Sequence, residues 1–321
     1  MTAIATRRAV LASSLAAPAL AWAQGFPDRP VRLVVPYTAG GGTDVVGREV
    51  ARHMAEELGQ SVVIENRSGA NTGVGAEYVA RARPDGYTLY FAGASSLVVP
   101  PLVSRRFPVK PEDFAPVSLV LNQPYGLGVT PSLAATLPEL VALMRARPDA
   151  YGFGHTGTSG IGHLIGERLM AATGTRMVSV PYRGFQQTVI DVMSGRLAMT
   201  FESVANFLPF LREGQVRLLA VSSEQRLPQL HDVPTFAEAG YPDMVVESWL
   251  AVWAPAGTAR EVVSRLNRAV VAAVDSPGFR TLASGQLQRP ESTTPEGLAE
   301  LTTRDVAAWR RVIEPLNLQV D

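Results

Sequence analysis

Strand-like apolar runs alternate with helix-like stripes along most of this chain, and that alternation limits its fold more than any other feature. Val31 to Val35 is a near-continuous apolar run, the pattern of a strand buried on both faces. From Thr43 the period changes. Val46, Val50, Met54 and Leu58 recur every four residues, one stripe along a helix, and Gly59 is a natural stop. Ser61 to Ile64 reads as a second strand, Gly75 to Arg83 as a helix, Pro84-Asp85-Gly86 as a turn and Tyr87 to Phe91 as a third strand. Alternation of this kind gives parallel sheets with crossover helices.

The middle of the chain repeats the arrangement. Strands are expected over Tyr151 to Gly154, Met177 to Val180, Leu197 to Phe201 and Val216 to Val221. Between them lie helices: one carries Ile161, Leu164, Ile165 and Leu169 and ends near Gly174, and the others cover Gln186 to Met193 and Val204 to Glu213. The last part is mostly helical, with one amphipathic stripe on Val262, Val263, Leu266, Val270 and Val271 and another helix over Val306 to Ile313. Two further segments, Ala115 to Val129 and Val245 to Trp253, are apolar and strand-like without a strong break. We read them as two strands crossing between lobes. Lobe one then holds residues 26–122 and 250–321, and lobe two residues 123–249. The expected class is α/β: two lobes with mixed or parallel sheets, joined by two crossing strands and hinged to close over a ligand. A chain of 321 residues is long enough to bury the cores of two domains.

Composition removes several function classes. Lysine plus arginine equals aspartate plus glutamate, 29 each, so no basic excess is available for a nucleic-acid backbone. With no cysteine there is no disulfide, thiolate metal site or cysteine nucleophile. The N-terminus has the order of an export signal: Thr6-Arg7-Arg8, an apolar alanine-rich run from Ala9 to Leu20, then Ala21-Trp22-Ala23. The run is too short to span a bilayer, and the paired arginines resemble a twin-arginine signal. Removal of residues 1–23 would leave 27 basic against 29 acidic side chains. A soluble protein of the periplasm, a monomer without cofactor or metal, is the expectation.

Two glycine-rich loops carry the functional reading. The first, VPYTAGGGTD at residues 35–44, lies between a strand and a helix, at the carboxyl edge where α/β sheets bind ligands. Its candidate contacts are Tyr37, Thr38, Ala39, Gly40, Gly41, Gly42, Thr43 and Asp44. Glycines let a ligand approach the backbone, and a helix start offers unpaired amides and a positive dipole end. Thr43 or Asp44 suits the N-cap. A tight turn with a cap is the competing reading. A phosphate loop would place lysine and serine or threonine after the last glycine, whereas Thr43-Asp44 stands there. The second loop, GHTGTSGIGH at 154–163, presents Thr156, Thr158 and Ser159 at another helix start, with His155 and His163 beside them. GFGHTG at 152–157 matches the glycine pattern of a dinucleotide site, but the next strand ends in Val180-Pro181-Tyr182-Arg183, without the acid that a ribose needs.

Catalytic readings find little support here. No H-E-x-x-H or G-x-S-x-G occurs, and the remaining histidines, His53 and His231, lie in unrelated segments. Tyr182 and Arg183 end a strand at the same sheet edge, where Arg183 either forks onto a carboxylate or stays a solvated surface charge. Glu202 follows the next strand and either orients a loop or water or caps a helix. Ser95 and Ser96, after the third strand, are further hydroxyls. An exported hydrolase using Ser159 and His163, and a receptor that presents its ligand to a signalling kinase, are the alternative functions.

These motifs occur together in one known family. PYTAGGGTD at 36–44, ENRSGA at 65–70, PDGYTL at 84–89, GTSGIGHLIGERL at 157–169, VPYRG at 180–184, VPTFAEAG at 233–240 and WAPAGT at 253–258 are the carriers. With the leader, the chain resembles the substrate-binding proteins of tripartite tricarboxylate transporters, the Bug family, over nearly its whole mature length. The resemblance implies a periplasmic binding protein of the type II class, working with membrane transporter subunits. It implies a small carboxylate ligand, often a dicarboxylate or an amino acid. It also implies a grip through backbone groups and ordered waters of Tyr37 to Asp44 and Thr156 to His163. Glu202 stands where the family usually has aspartate, and Gly42 is a third glycine where other residues are common.

Overall fold

The computed structural model describes residues 25–157 and 160–316. The expected leader, residues 1–23, lies outside the described residues, as do Thr158 and Ser159. β1 (Val31–Val35), α1 (Gly42–Leu58), β2 (Val62–Asn66), α2 (Gly73–Ala80) and β3 (Thr88–Gly93) follow in order, with β1 between β2 and β3 and parallel to both. The stripe on α1 is buried as its period requires, and Gly59 ends the helix with φ 70°, a conformation natural to glycine. A short α3 (Val99–Val103) leads to β4 (Phe114–Val129), and α4 (Leu137–Ala146) follows.

The second half is built on the same plan. β5 (Gly152–Thr156), α5 (Ile161–Thr173), β6 (Val178–Tyr182), α6 (Phe185–Met193) and β7 (Met199–Ser203) place β5 between β6 and β7, again parallel to both. The two halves thus share a βαβαβ order that no sequence repeat announces. α7 (Val204–Arg212) and β8 (Arg217–Val221) complete this half. The chain then returns through β9 (Glu247–Pro255), which lies antiparallel between β3 and β4, and ends in α8 (Arg260–Asp275), α9 (Pro277–Gly285), β10 (Arg289–Pro290) and α10 (Pro295–Leu316).

One strand runs through both sheets. Phe114 to Pro124 of β4 pairs with β9, while Tyr125 to Val129 pairs with β7 and β8. The second crossing is less regular than its apolar run suggests. β9 begins only at Glu247 and pairs within the first sheet, and the preceding link is held by Val246 N–H donating to the Ser222 carbonyl at 3.1 Å. Core packing sits on both faces of the first sheet: α1, α8 and α9 cover one face through Val46, Met54, Leu266, Val270 and Phe279. Each such side chain contributes about 1.5–3 kcal/mol when fully buried.

A cavity of about 770 Å³ lies beside the crossing strands, lined in part by Glu224, Glu247, Arg289, Glu291 and Asp305. Glu247 accepts from Arg289 at 2.7 Å. Even so, burial, with Glu224 and Glu291 nearby, pushes its carboxyl from 4.5 up to about 7. The folded chain therefore holds this proton more tightly than the unfolded chain. The contribution is full below the ordinary value of 4.5 and declines as pH rises towards 7, by about 3 kcal/mol at about 1.4 kcal/mol per pH unit. Urea unfolding at pH 5 and pH 8 should show that loss in the natural protein and a smaller one in Glu247→Gln. An equal fall in both would refute the assignment.

Candidate functional site

The first loop is shaped from beneath by one carboxylate. Asp44 is 2 % exposed and stands at the third position of α1, not at its cap. Gly41 is the N-cap, so the expectation of Thr43 or Asp44 there is corrected. The Asp44 side chain turns back instead. It accepts from Gly40 N–H at 2.8 Å, Asn66 Nδ2 at 2.9 Å and Arg48 Nε at 2.9 Å. Asn66 also donates to the Tyr37 carbonyl at 3.1 Å, tying β2 to the loop. Burial works against the charge on Asp44, but Arg48, Gly40 and Asn66 outweigh it and hold the carboxyl below its ordinary 3.8. Gly40, at φ 83°, takes the left-handed turn that bends the loop over this anchor.

What the turn leaves outward is a set of donors. Val45 N–H reaches back to the Gly41 carbonyl, so the amides of Gly42, Thr43 and Asp44 have no helical partner. Thr38, Ala39, Gly40, Gly41 and Gly42 are exposed. The Tyr37 hydroxyl lies 3.1 Å from that of Ser95, joining the loop to the turn after β3. Burial raises the Tyr37 pKa, against hydrogen bonds with Ser95 and then with Ser96. Ser96 is fully buried, accepts from Gly93 N–H at 3.0 Å and donates to the Gly93 carbonyl at 3.2 Å, so it fastens its own turn.

The second loop is supported by its histidines. His155 is 2 % exposed. Its Nδ1 donates to the Gly157 carbonyl at 2.9 Å, which leaves Nε2 to accept from Ser179 at 2.9 Å. Burial, and then the neighbouring His163, lower its pKa and keep the ring neutral. His163 is buried too, stacked on Phe153, with ring centroids 4.4 Å from His155 and Nε2 3.4 Å from Glu167. Both were expected as ligand contacts; they pack beneath the loop because β6 and Phe153 close over them. α5 starts from Gly160, and its first helical hydrogen bond runs from Leu164 N–H to the Gly160 carbonyl, so Ile161 and Gly162 N–H open the helix ahead of it. Gly162 allows this approach: a Cβ there would lie 2.3 Å from the Phe201 carbonyl oxygen.

Glu202 links the loop to β7. One oxygen accepts from Ser203 N–H at 2.8 Å and the other from the Thr156 hydroxyl at 3.2 Å. Burial raises its pKa, against the bonds from Ser203, Thr156 and Asn206. Tyr125, on β4 beside the Gly126–Glu202 pair, is raised well above 10 by burial, then by the charges of Glu202 and Tyr37. Tyr37 belongs to the first loop and Glu202 to the second half. Tyr125 is near enough to both for each to raise its pKa, after burial. Sequence reasoning missed Tyr125 and Asn66; the polar break Asn122-Gln123-Pro124-Tyr125 inside an apolar strand was the available signal. Tyr182 donates to Asp191 at 2.7 Å, so its hydroxyl is engaged within its own half. Arg183 is exposed and has no ion pair among the described residues. No group of acids and histidines suited to a metal occurs among the described residues.

Comparison with known proteins follows the same lines. A model of the tripartite tricarboxylate transporter family receptor matches residues 46–318. Protein BugT of Bordetella pertussis is 34 % identical over 307 residues, covering 95 % of this chain and 94 % of BugT. A solved structure of an R. palustris protein with adipate is 35 % identical, with TM-score 0.80 over 90 % of this chain and 97 % of that one. MatC from Rhodopseudomonas palustris with bound malate is 30 % identical, with TM-score 0.76 over 90 % of this chain and all of that one.

Proposed function

This chain belongs to the tripartite tricarboxylate transporter receptor family, and from that premise we propose that it captures a small organic carboxylate between its lobes and presents it to membrane transporter subunits. The observation that carries the reading is that each half opens a helix at a glycine-rich loop, after Gly41 and after Gly160, with Tyr37 tied to Ser95 beside the first and Glu202 tied to Thr156 beside the second. Adipate and malate in the two related structures support the ligand class. Among the described residues no helix is long and apolar enough to cross a membrane, which fits an exported receptor released from its leader. The ligand leaves unaltered, and a single copy suffices for binding.

The contacts we assign are the amides of Gly42 to Asp44 and of Ile161 and Gly162, with the hydroxyls of Tyr37, Ser95 and Thr156. Amides bind a carboxylate without the desolvation cost of a buried arginine. Each helix-end contact contributes about 0.3–1 kcal/mol, up to about 2 when partly buried. Several of them with closure reach about −8 kcal/mol, a micromolar affinity. A thermal-shift screen of organic acids and amino acids, followed by calorimetry, tests the reading, since a ligand raises stability by mass action. No stabilisation by any carboxylate, or turnover of an ester or amide panel, would overturn it. Arg183→Ala should change affinity by less than about threefold, because that side chain is solvated. A hundredfold loss would make Arg183 the main anchor instead.

A further inference from the structure

We infer that Glu202 selects, among carboxylates of one length, those that carry a hydrogen-bond donor next to the bound carboxyl: hydroxy or amino acids over plain diacids. The inference rests on the carboxylate reading above and concerns the same crevice. Glu202 is 8 % exposed, at the carboxyl end of β7. A carboxylate accepts about four hydrogen bonds through its two oxygens. Ser203 N–H, the Thr156 hydroxyl and the Asn206 side chain occupy three of those positions. Among the described residues, that leaves one acceptor position. Thr156, which shares this carboxylate, is itself exposed at the start of the second loop.

Charge makes the open position selective. Among the described residues the groups that bond to Glu202 include no cation, and burial already disfavours its ionised form. The other acids that sense it are the hydroxyls of Tyr125 and, through Tyr125, Tyr37; both have raised pKa values and stay neutral at ordinary pH. A plain dianion entering beside Glu202 meets uncompensated like charge. A ligand with an ammonium or hydroxyl group supplies the missing donor, and a charge-assisted bond to a carboxylate is about twice as strong as a neutral one. Sites built to hydrogen-bond a ligand group discriminate strongly against analogues that lack it.

The test uses matched sets: succinate, malate and aspartate, and the six-carbon adipate, 2-hydroxyadipate and 2-aminoadipate. Within the set that binds, a hydroxy or amino member should bind about tenfold or more tighter than the plain diacid at pH 8. Glu202→Gln, which keeps the acceptor oxygen and removes the charge, should bring that ratio below about threefold. Glu202→Asp, which keeps the charge, should preserve the order. The natural protein gives an independent readout, because the preference should shrink as pH falls and Glu202 takes up its proton. A plain diacid that binds as tightly as its partners at pH 8, or a ratio unchanged in Glu202→Gln and flat with pH, overturns the inference while leaving carboxylate capture intact. Failure of every carboxylate to bind would overturn the underlying reading itself.

Discussion

Gly93→Ala is expected to lower the unfolding free energy by about 3 kcal/mol or more. A Cβ at position 93 would stand 1.6 Å from the Trp249 carbonyl oxygen and 2.8 Å from its carbonyl carbon. The obstacle is backbone, so no rotamer change relieves it. Gly93 pairs with Leu250 in the β3–β9 ladder, and Trp249 is 1 % exposed with its indole donating to Asp305 at 2.6 Å. Relief requires β3 and β9 to separate where the first sheet meets the crossing strands. Overpacking in a core commonly costs about 1–3 kcal/mol, and a forced backbone shift places this case at or above the upper end. Urea unfolding followed by tryptophan fluorescence measures it. Gly285→Ala is the control, since nothing lies within 4 Å of a Cβ there. Equal stability of the two variants would sink the argument.

The second large effect belongs to Asp44→Ala. Its removal leaves Gly40 N–H and the Asn66 amide without their acceptor and frees Arg48 beside the loop. Losing the acceptor of buried donors costs about 1–3 kcal/mol. The larger consequence is for binding, because the outward amides of Gly42 to Asp44 keep their direction only while the loop is pinned. A misplacement of about 1 Å is known to cost two orders of magnitude where alignment matters. We expect ligand affinity to fall by at least about tenfold, read by calorimetry on whichever carboxylate the screen identifies. Unchanged affinity would remove Asp44 from the site. Acid acts in the same direction. The folded carboxyl lies below 3.8, so its contribution is present above that value and is lost as pH falls through the folded pKa.

Both effects come from contacts that a linear reading sees poorly. The period of Val46, Val50, Met54 and Leu58 was enough to place α1, because a helix buries one face wherever it packs. The glycines of the two loops pointed to exposed helix starts, and both helices do begin there, after Gly41 and Gly160. The histidines read differently in three dimensions. His155 and His163 stand in a polar, glycine-rich stretch, yet they are buried, because Phe153 of β5 packs on both and Ser179 of β6 bonds to His155. Asp44 looked like a cap and is a brace. Its decisive partner, Asn66, is 22 residues away on another strand.

Local periodicity and turn chemistry therefore determined the elements of this protein, its two-lobed α/β class and the loops that end at the sheet edges, since those depend on neighbours in sequence. Tertiary structure alone decided which side chains are exposed at those loops and which are buried beneath them. Burial, charge and the direction of a hydrogen bond depend on segments that meet only when the sheet forms. Tyr125 shows the difference: within the chain it is one aromatic in an apolar strand, and in the fold it is buried where Glu202 of the second half and Tyr37 of the first loop both raise its pKa.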